Sequence, residues 1–190
     1  MNRLDKVELP QKYEERYVML KEYLFGPVTM TAADGFEMIT SGNETECHTY
    51  VIIDSLKKSD ISLLIEAWEM EWKPLWKGEI GEQYSLYAPY IVKIYQESKF
   101  TDWLIKTGWG NGWGIFIRSY LPLASLTHHL RKFNQIYDEV NSSWLLFRYY
   151  SPETIKNYLP YISVEDFTEF TNGIVQILCE GKDGDELLFM

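Results

Sequence analysis

The sequence predicts an α/β fold: a layered domain with a mostly parallel central sheet flanked by helices, preceded by a helical N-terminal extension. Three observations carry this expectation. Short β-branched or aromatic runs alternate with segments of helical period, which is the pattern of strand–helix–strand units. The runs are apolar at nearly every position, as in a sheet covered on both faces. The length, 190 residues, suits one domain with a small appendage.

Tyr13, Tyr17, Leu20 and Leu24 fall at i, i+4, i+7 and i+11 and mark a helix over 11–24, which Gly26-Pro27 stops. Residues 28–47 are rich in Thr, Gly and Asn, and Asp34-Gly35 between short apolar stretches reads as a hairpin or loop. Residues 1–47 are therefore expected to be an extension, and 48–190 a single α/β domain. Its first strand is Tyr50-Val51-Ile52-Ile53, ending in Asp54; a helix capped by Ser59 or Asp60 follows, with Ile61, Leu64, Ile65, Trp68 and Trp72 on one face.

The next strand is Tyr90 to Ile94, with a helix from Thr101 to Thr107 closed by Gly108. Then come a strand from Gly114 to Arg118 and a helix over 122–138, whose apolar face is Leu123, Leu126, Leu130, Phe133 and Tyr137. Trp144 to Tyr149 reads as a fourth strand. Ser151 as N-cap and Pro152 at the first helical position start a helix reaching Tyr161. A short helix at 164–171 precedes a strand from Gly173 to Cys179, and Gly181 to Gly184 turns the chain back along Glu186 to Met190.

Composition narrows the function. With 46% hydrophobic and 24% charged residues the chain is a globule rather than a disordered segment. Its 18 basic and 28 acidic residues give a net charge of −10, which repels phosphate backbones and anionic membrane surfaces, so neither nucleic acid nor membrane is an expected partner. The longest basic grouping is Arg131-Lys132. Two cysteines, Cys47 and Cys179, without metal-ligand spacing suit reduced cytosol. The N-terminal residues have no apolar run of an export signal, and a cytoplasmic location is expected.

Candidate chemistry is sparse. His128 and His129 are adjacent and would point about 100° apart on a helix, so they cannot chelate one metal; His129 is expected at the edge of the apolar stripe and His128 outward. Cys47-His48 could make a thiolate pair only if the side chains met, and neighbours on an extended chain face opposite ways. Gly108-Trp109-Gly110-Asn111-Gly112-Trp113-Gly114 lacks the phosphate-binding patterns and precedes a strand rather than following one, so it reads as a flexible connector with both tryptophans packing back. Asp54 ends a strand but has no obvious partner, and Glu66, Glu69 and Glu71 read as a solvated helix face. No catalytic residue, metal or organic cofactor is expected.

The order of segments resembles the type VI secretion effector-chaperone family, the Tap-type adaptors, known as domain of unknown function 4123. The residues that carry it are Tyr50-Val51-Ile52-Ile53-Asp54, Ala88-Pro89-Tyr90-Ile91-Val92, Leu121-Pro122-Leu123 with His129-Leu130-Arg131-Lys132-Phe133, and Phe147-Arg148-Tyr149-Tyr150-Ser151-Pro152. Ser151 stands where that family usually has Asp, which removes a carboxylate that could pair with Arg148 or Arg131.

The resemblance implies a non-catalytic cytosolic protein of a Gram-negative bacterium that binds the N-terminal region of a secreted toxin effector and delivers it to a VgrG-type spike. An aromatic content of 7 Trp, 14 Tyr and 9 Phe fits a binding protein, since Trp, Tyr and Arg are favoured at interface hot spots. Arg131 and Arg148, with their neighbours His129, Tyr149 and Tyr150, are expected to form or support the partner surface; the alternative for each arginine is a guanidinium that ties helix to sheet. An immunity protein neutralising a cognate toxin is the nearer rival function, because acidic charge suits a basic toxin. A small hydrolase would need convergent titrating groups that the sequence does not show.

Overall fold

A computed structural model of the chain describes residues 3–31, 38–41, 47–78 and 87–190. At its centre is a seven-stranded antiparallel sheet formed by β1 (Asp5–Glu8), β4 (His48–Ile53), β5 (Trp72–Pro74), β6 (Tyr90–Ile94), β7 (Gly114–Ser119), β10 (Ile174–Glu180) and β11 (Glu186–Phe189). Their spatial order is β1-β11-β10-β7-β4-β6-β5.

Successive side chains on a strand face opposite ways, and here both directions are apolar and both are covered. Val51 and Ile53 of β4 join one core with Leu20 and Leu24 of α1 (Tyr13–Phe25), Ile61 and Ile65 of α2 (Ile61–Ala67) and Phe100 of α3 (Lys99–Trp103). Tyr50 and Ile52 join the other, with Leu126 and Leu130 of α4 (Leu123–Leu130), Ile155 of α5 (Pro152–Asn157) and Phe170 of α6 (Val164–Phe170). The result is three layers, helix–sheet–helix. The segment before residue 48 is tied into both: β1 pairs with β11, and α1 lies on the first core.

The expectation of a mostly parallel sheet is overturned, because every pairing in it is antiparallel. The reason lies in how the crossovers interleave. β4 connects through α2 to β5, and the two run parallel, yet β6 sits between them and pairs antiparallel with each. β6 connects through α3 to β7 in the same sense, with β4 between them. Alternating strands and helices fix the direction of successive strands but not which strands become neighbours, and apolar runs report burial on two faces rather than strand direction.

Three elements differ from their sequence reading. The helix expected over 122–138 ends at Leu130, extends as one 3-10 turn to Phe133 and gives way to a hairpin of β8 (Gln135–Asp138) and β9 (Ser143–Leu146) that, among the described residues, pair only with each other. Asp138 accepts the backbone N–H groups of Val140 and Asn141 and so closes the hairpin turn. Tyr137 therefore stands opposite Trp144 instead of on a helix face. The strand expected at 144–149 is the second arm of this ribbon and lies outside the central sheet. Trp72, read as the last residue of a helical stripe, is in edge strand β5 and packs edge-on against Tyr90 at 5.3 Å.

In the extension, β2 (Val28–Thr31) and β3 (Met38–Ser41) form an antiparallel pair, as the hairpin reading expects, while Asp34-Gly35 lies outside the described residues. The reversal at 181–184 and the returning strand β11 are present. Ser151 precedes α5 but makes no side-chain cap; Ser163 does cap α6, accepting the Asp166 N–H at 3.0 Å.

Candidate partner-binding site

Most of the segments that carry the family resemblance meet at the end of the sheet where β4 finishes and β6 begins, whereas Leu121-Pro122-Leu123 follows β7 at the opposite end. Asp54, at the end of β4, is buried, and its carboxylate accepts the Leu56 N–H and an ion-paired hydrogen bond from Arg148. Arg148 follows the ribbon directly. Its carbonyl accepts from Thr154 Oγ1 at 3.0 Å and from the Ser151 N–H, which fixes the entry to α5. The carboxylate missing at Ser151 is thus supplied by Asp54. Charge-assisted contacts of this kind in a half-desolvated place hold two loops in register.

Arg131 makes a second tie. Its Nη2 donates to the Pro74 carbonyl at 2.6 Å, and beside it Asn134 Nδ2 donates to the Leu75 carbonyl at 2.8 Å. Asn134 also takes the Phe147 N–H on its own carbonyl, so the end of α4, edge strand β5 and the base of the ribbon are bound together. Between them lies a groove of about 930 Å³, the size of a ligand or peptide site. Trp144 and Leu146 of the ribbon line it, together with Trp76, Lys77 and Tyr87. His128, Arg131 and Lys132 line it as well.

Of the five residues expected to form or support the partner surface, Arg131 alone lines this groove. Tyr149 and Tyr150 are 0% and 1% exposed and are core, their rings 5.4 Å apart and Tyr149 edge-on to Phe170. Burial holds both phenols well above the usual tyrosine range. His129 is buried as well: its Nε2 lies 2.8 Å from the Phe170 carbonyl and its ring packs edge-on to Phe133. These three residues shape the scaffold under the surface and present little to a partner. The sequence reading missed Lys77, Trp76 and Trp144 as a set, and no local signal joins them.

The other candidates find internal roles. Burial pushes the Cys47 thiol up and lowers the His48 imidazole, the opposite of an activated thiolate pair. The glycine-rich stretch is a built turn rather than a flexible connector. Gly110 and Gly112 take positive φ, and their N–H groups donate to the carboxylate of Glu180, while Trp109 Nε1 donates to the Gly184 carbonyl at 2.8 Å. An anion-binding concavity therefore exists there and is filled by the chain's own β10. Among the described residues no group of three or more His, Cys, Asp or Glu could hold a metal ion, and no helix is long and apolar enough to cross a membrane.

The family model described as Domain of unknown function (DUF4123) matches residues 49–169. The chain belongs to this family. The DUF4123 domain is known in type VI secretion effector chaperones of the Tap kind. No curated protein and no solved structure matches the chain. The match runs from β4 to α6, and so contains Asp54, Arg148 and every residue that lines the groove, while β1, α1, β10 and β11 lie outside it. The DUF4123 segment is thus the part of the chain that builds the groove, and the flanking strands complete the sheet behind it.

Proposed function

We propose that this protein is a non-catalytic cytosolic adaptor that binds the N-terminal region of a type VI secretion effector and promotes its loading onto a VgrG-type spike. The observation that carries the reading is the DUF4123 match over 49–169, a domain associated with type VI effector adaptors. The groove supports it, because aromatic walls beside a cluster of polar donors are the composition of interface hot spots. The interior roles of Cys47, His129 and Glu180 support a binding rather than a catalytic task, since each is engaged or shifted away from a reactive state.

The test is co-expression with the product of the neighbouring toxin gene. An adaptor co-purifies with that effector and raises its soluble level, because a partner that binds only the folded form stabilises it by mass action. Equal effector abundance in a deletion strain, together with no co-purification, overturns the reading. An immunity protein would instead protect cells from the toxin's activity without affecting its delivery.

A further inference from the structure

We infer that the groove between β5, the end of α4 and the β8–β9 ribbon takes an acidic segment of a protein partner, anchored by large apolar side chains. The inference rests on the adaptor reading and names the chemistry of what that site holds. Lys77, Arg131, Lys132 and His128 gather at the groove, and no carboxylate is among the described residues that line it. The chain as a whole carries −10, so three permanent cations around one concavity are a local reversal of the molecule's field. Such a reversal attracts anionic groups.

The apolar half of the site is equally specific. Cross-strand partners share a face of an antiparallel ribbon, and the pairs Gln135↔Leu146 and Tyr137↔Trp144 set Trp144 and Leu146 on the groove side. Trp144 is 66% exposed and is propped edge-on by Tyr137 at 5.3 Å. Trp76 and Tyr87 line the same groove. Trp76 Nε1 and Arg131 Nε are buried and find no acceptor among the described residues. A short stretch of chain with carboxylates next to aromatic or aliphatic residues satisfies both halves. Single-stranded nucleic acid would also match cations beside aromatics, but its phosphates run on past the groove's three permanent cations onto a chain of net charge −10, which a short acidic segment need not do.

The test uses the full chain and fluorescein-labelled probes: a synthetic peptide alternating aspartate with tryptophan and leucine, the same peptide with lysine for each aspartate, and oligo-thymidylate. The acidic peptide binds saturably, weakens as salt rises, and loses about tenfold in affinity with the Lys77→Glu/Lys132→Glu double variant. Both lysines are exposed, so that variant keeps the parent melting temperature, and Trp144→Ala gives a second, uncharged reading of the same site. Equal binding of the lysine peptide, tighter binding of oligo-thymidylate, no saturable binding, or unchanged affinity in both variants each overturns the inference. Capture of the neighbouring effector by both parent and double variant sinks the groove and spares the adaptor reading. Failure of the parent to capture it, with the peptide still bound, does the reverse.

Discussion

Asp54 and Arg148 form an ion pair between the end of β4 and the segment that follows the ribbon, with the carboxylate side chain 3% exposed and the guanidinium side chain 38%. The pair bridges two segments of the family match that are far apart in sequence. Removing Arg148 leaves a buried carboxylate with the Leu56 N–H and no cation. Because the guanidinium is partly open to solvent, Arg148→Ala is expected to cost about 1.5–2 kcal/mol, and Arg148→Lys less. Urea unfolding of the three proteins measures it; a parent-like midpoint for Arg148→Ala means that the pair contributes nothing to the fold.

A closer constraint lies one strand away. A Cβ on Gly114 would lie 1.7 Å from the Ile52 carbonyl oxygen, and that atom is backbone in the central strand. Only glycine allows β7 and β4 to approach this closely. Gly114→Ala should therefore cost about 3 kcal/mol or more, seen as loss of soluble protein or a marked fall in melting temperature. Gly78, whose Cβ would meet nothing within 4 Å among the described residues, is a natural comparison site for expression, although its positive φ of 75° adds a smaller backbone cost.

Much of the architecture was legible because each helix and strand must bury one face, and that requirement is written in local periodicity. Tyr50 to Ile53 announces a strand with both faces covered, and Leu20 and Leu24 announce a core helix. Strand order was not legible, since β6 inserts between β4 and β5 through contacts distant in sequence. The ribbon was hidden by coincidence: Leu126, Leu130, Phe133 and Tyr137 keep a helical spacing past the point where the helix stops. The site shared this fate. Arg131 and Arg148 stood out as members of recognisable segments, whereas Lys77, Trp76 and Trp144 become neighbours only once the ribbon folds over the edge of the sheet.

Glu180 gives a pH signature. Burial raises its carboxyl above the usual 4.5, outweighing the N–H groups of Gly110, Gly112 and Asn111, which pull the other way. A carboxyl raised in the folded state contributes stability in full below its unfolded value and loses it as pH rises through the folded value. Compared with Glu180→Gln, which cannot ionise, the parent should gain relative stability as pH falls through the raised folded value towards the usual 4.5. Denaturant unfolding of both proteins at several pH values tests this, and a constant difference between them overturns it.

The two arginines separate scaffold from surface. Arg131 donates to the Pro74 carbonyl and also lines the groove, so Arg131→Ala removes one hydrogen bond and one groove cation together. A carbonyl left at a half-open edge strand costs about 0.5–1.5 kcal/mol, less than the loss of a cation from a buried carboxylate. Affinity should respond in the opposite order, because Arg131 lines the groove and Arg148 is turned to Asp54. Effector capture by Arg131→Ala should fall while its melting temperature stays close to the parent's, and Arg148→Ala should melt earlier yet capture effector normally below its transition. Lys132→Ala, which makes no hydrogen bond to the scaffold among the described residues, should weaken capture with no change in melting. If Arg148→Ala is the variant that loses capture while still folded, the partner surface lies over the Asp54 pair rather than in the groove.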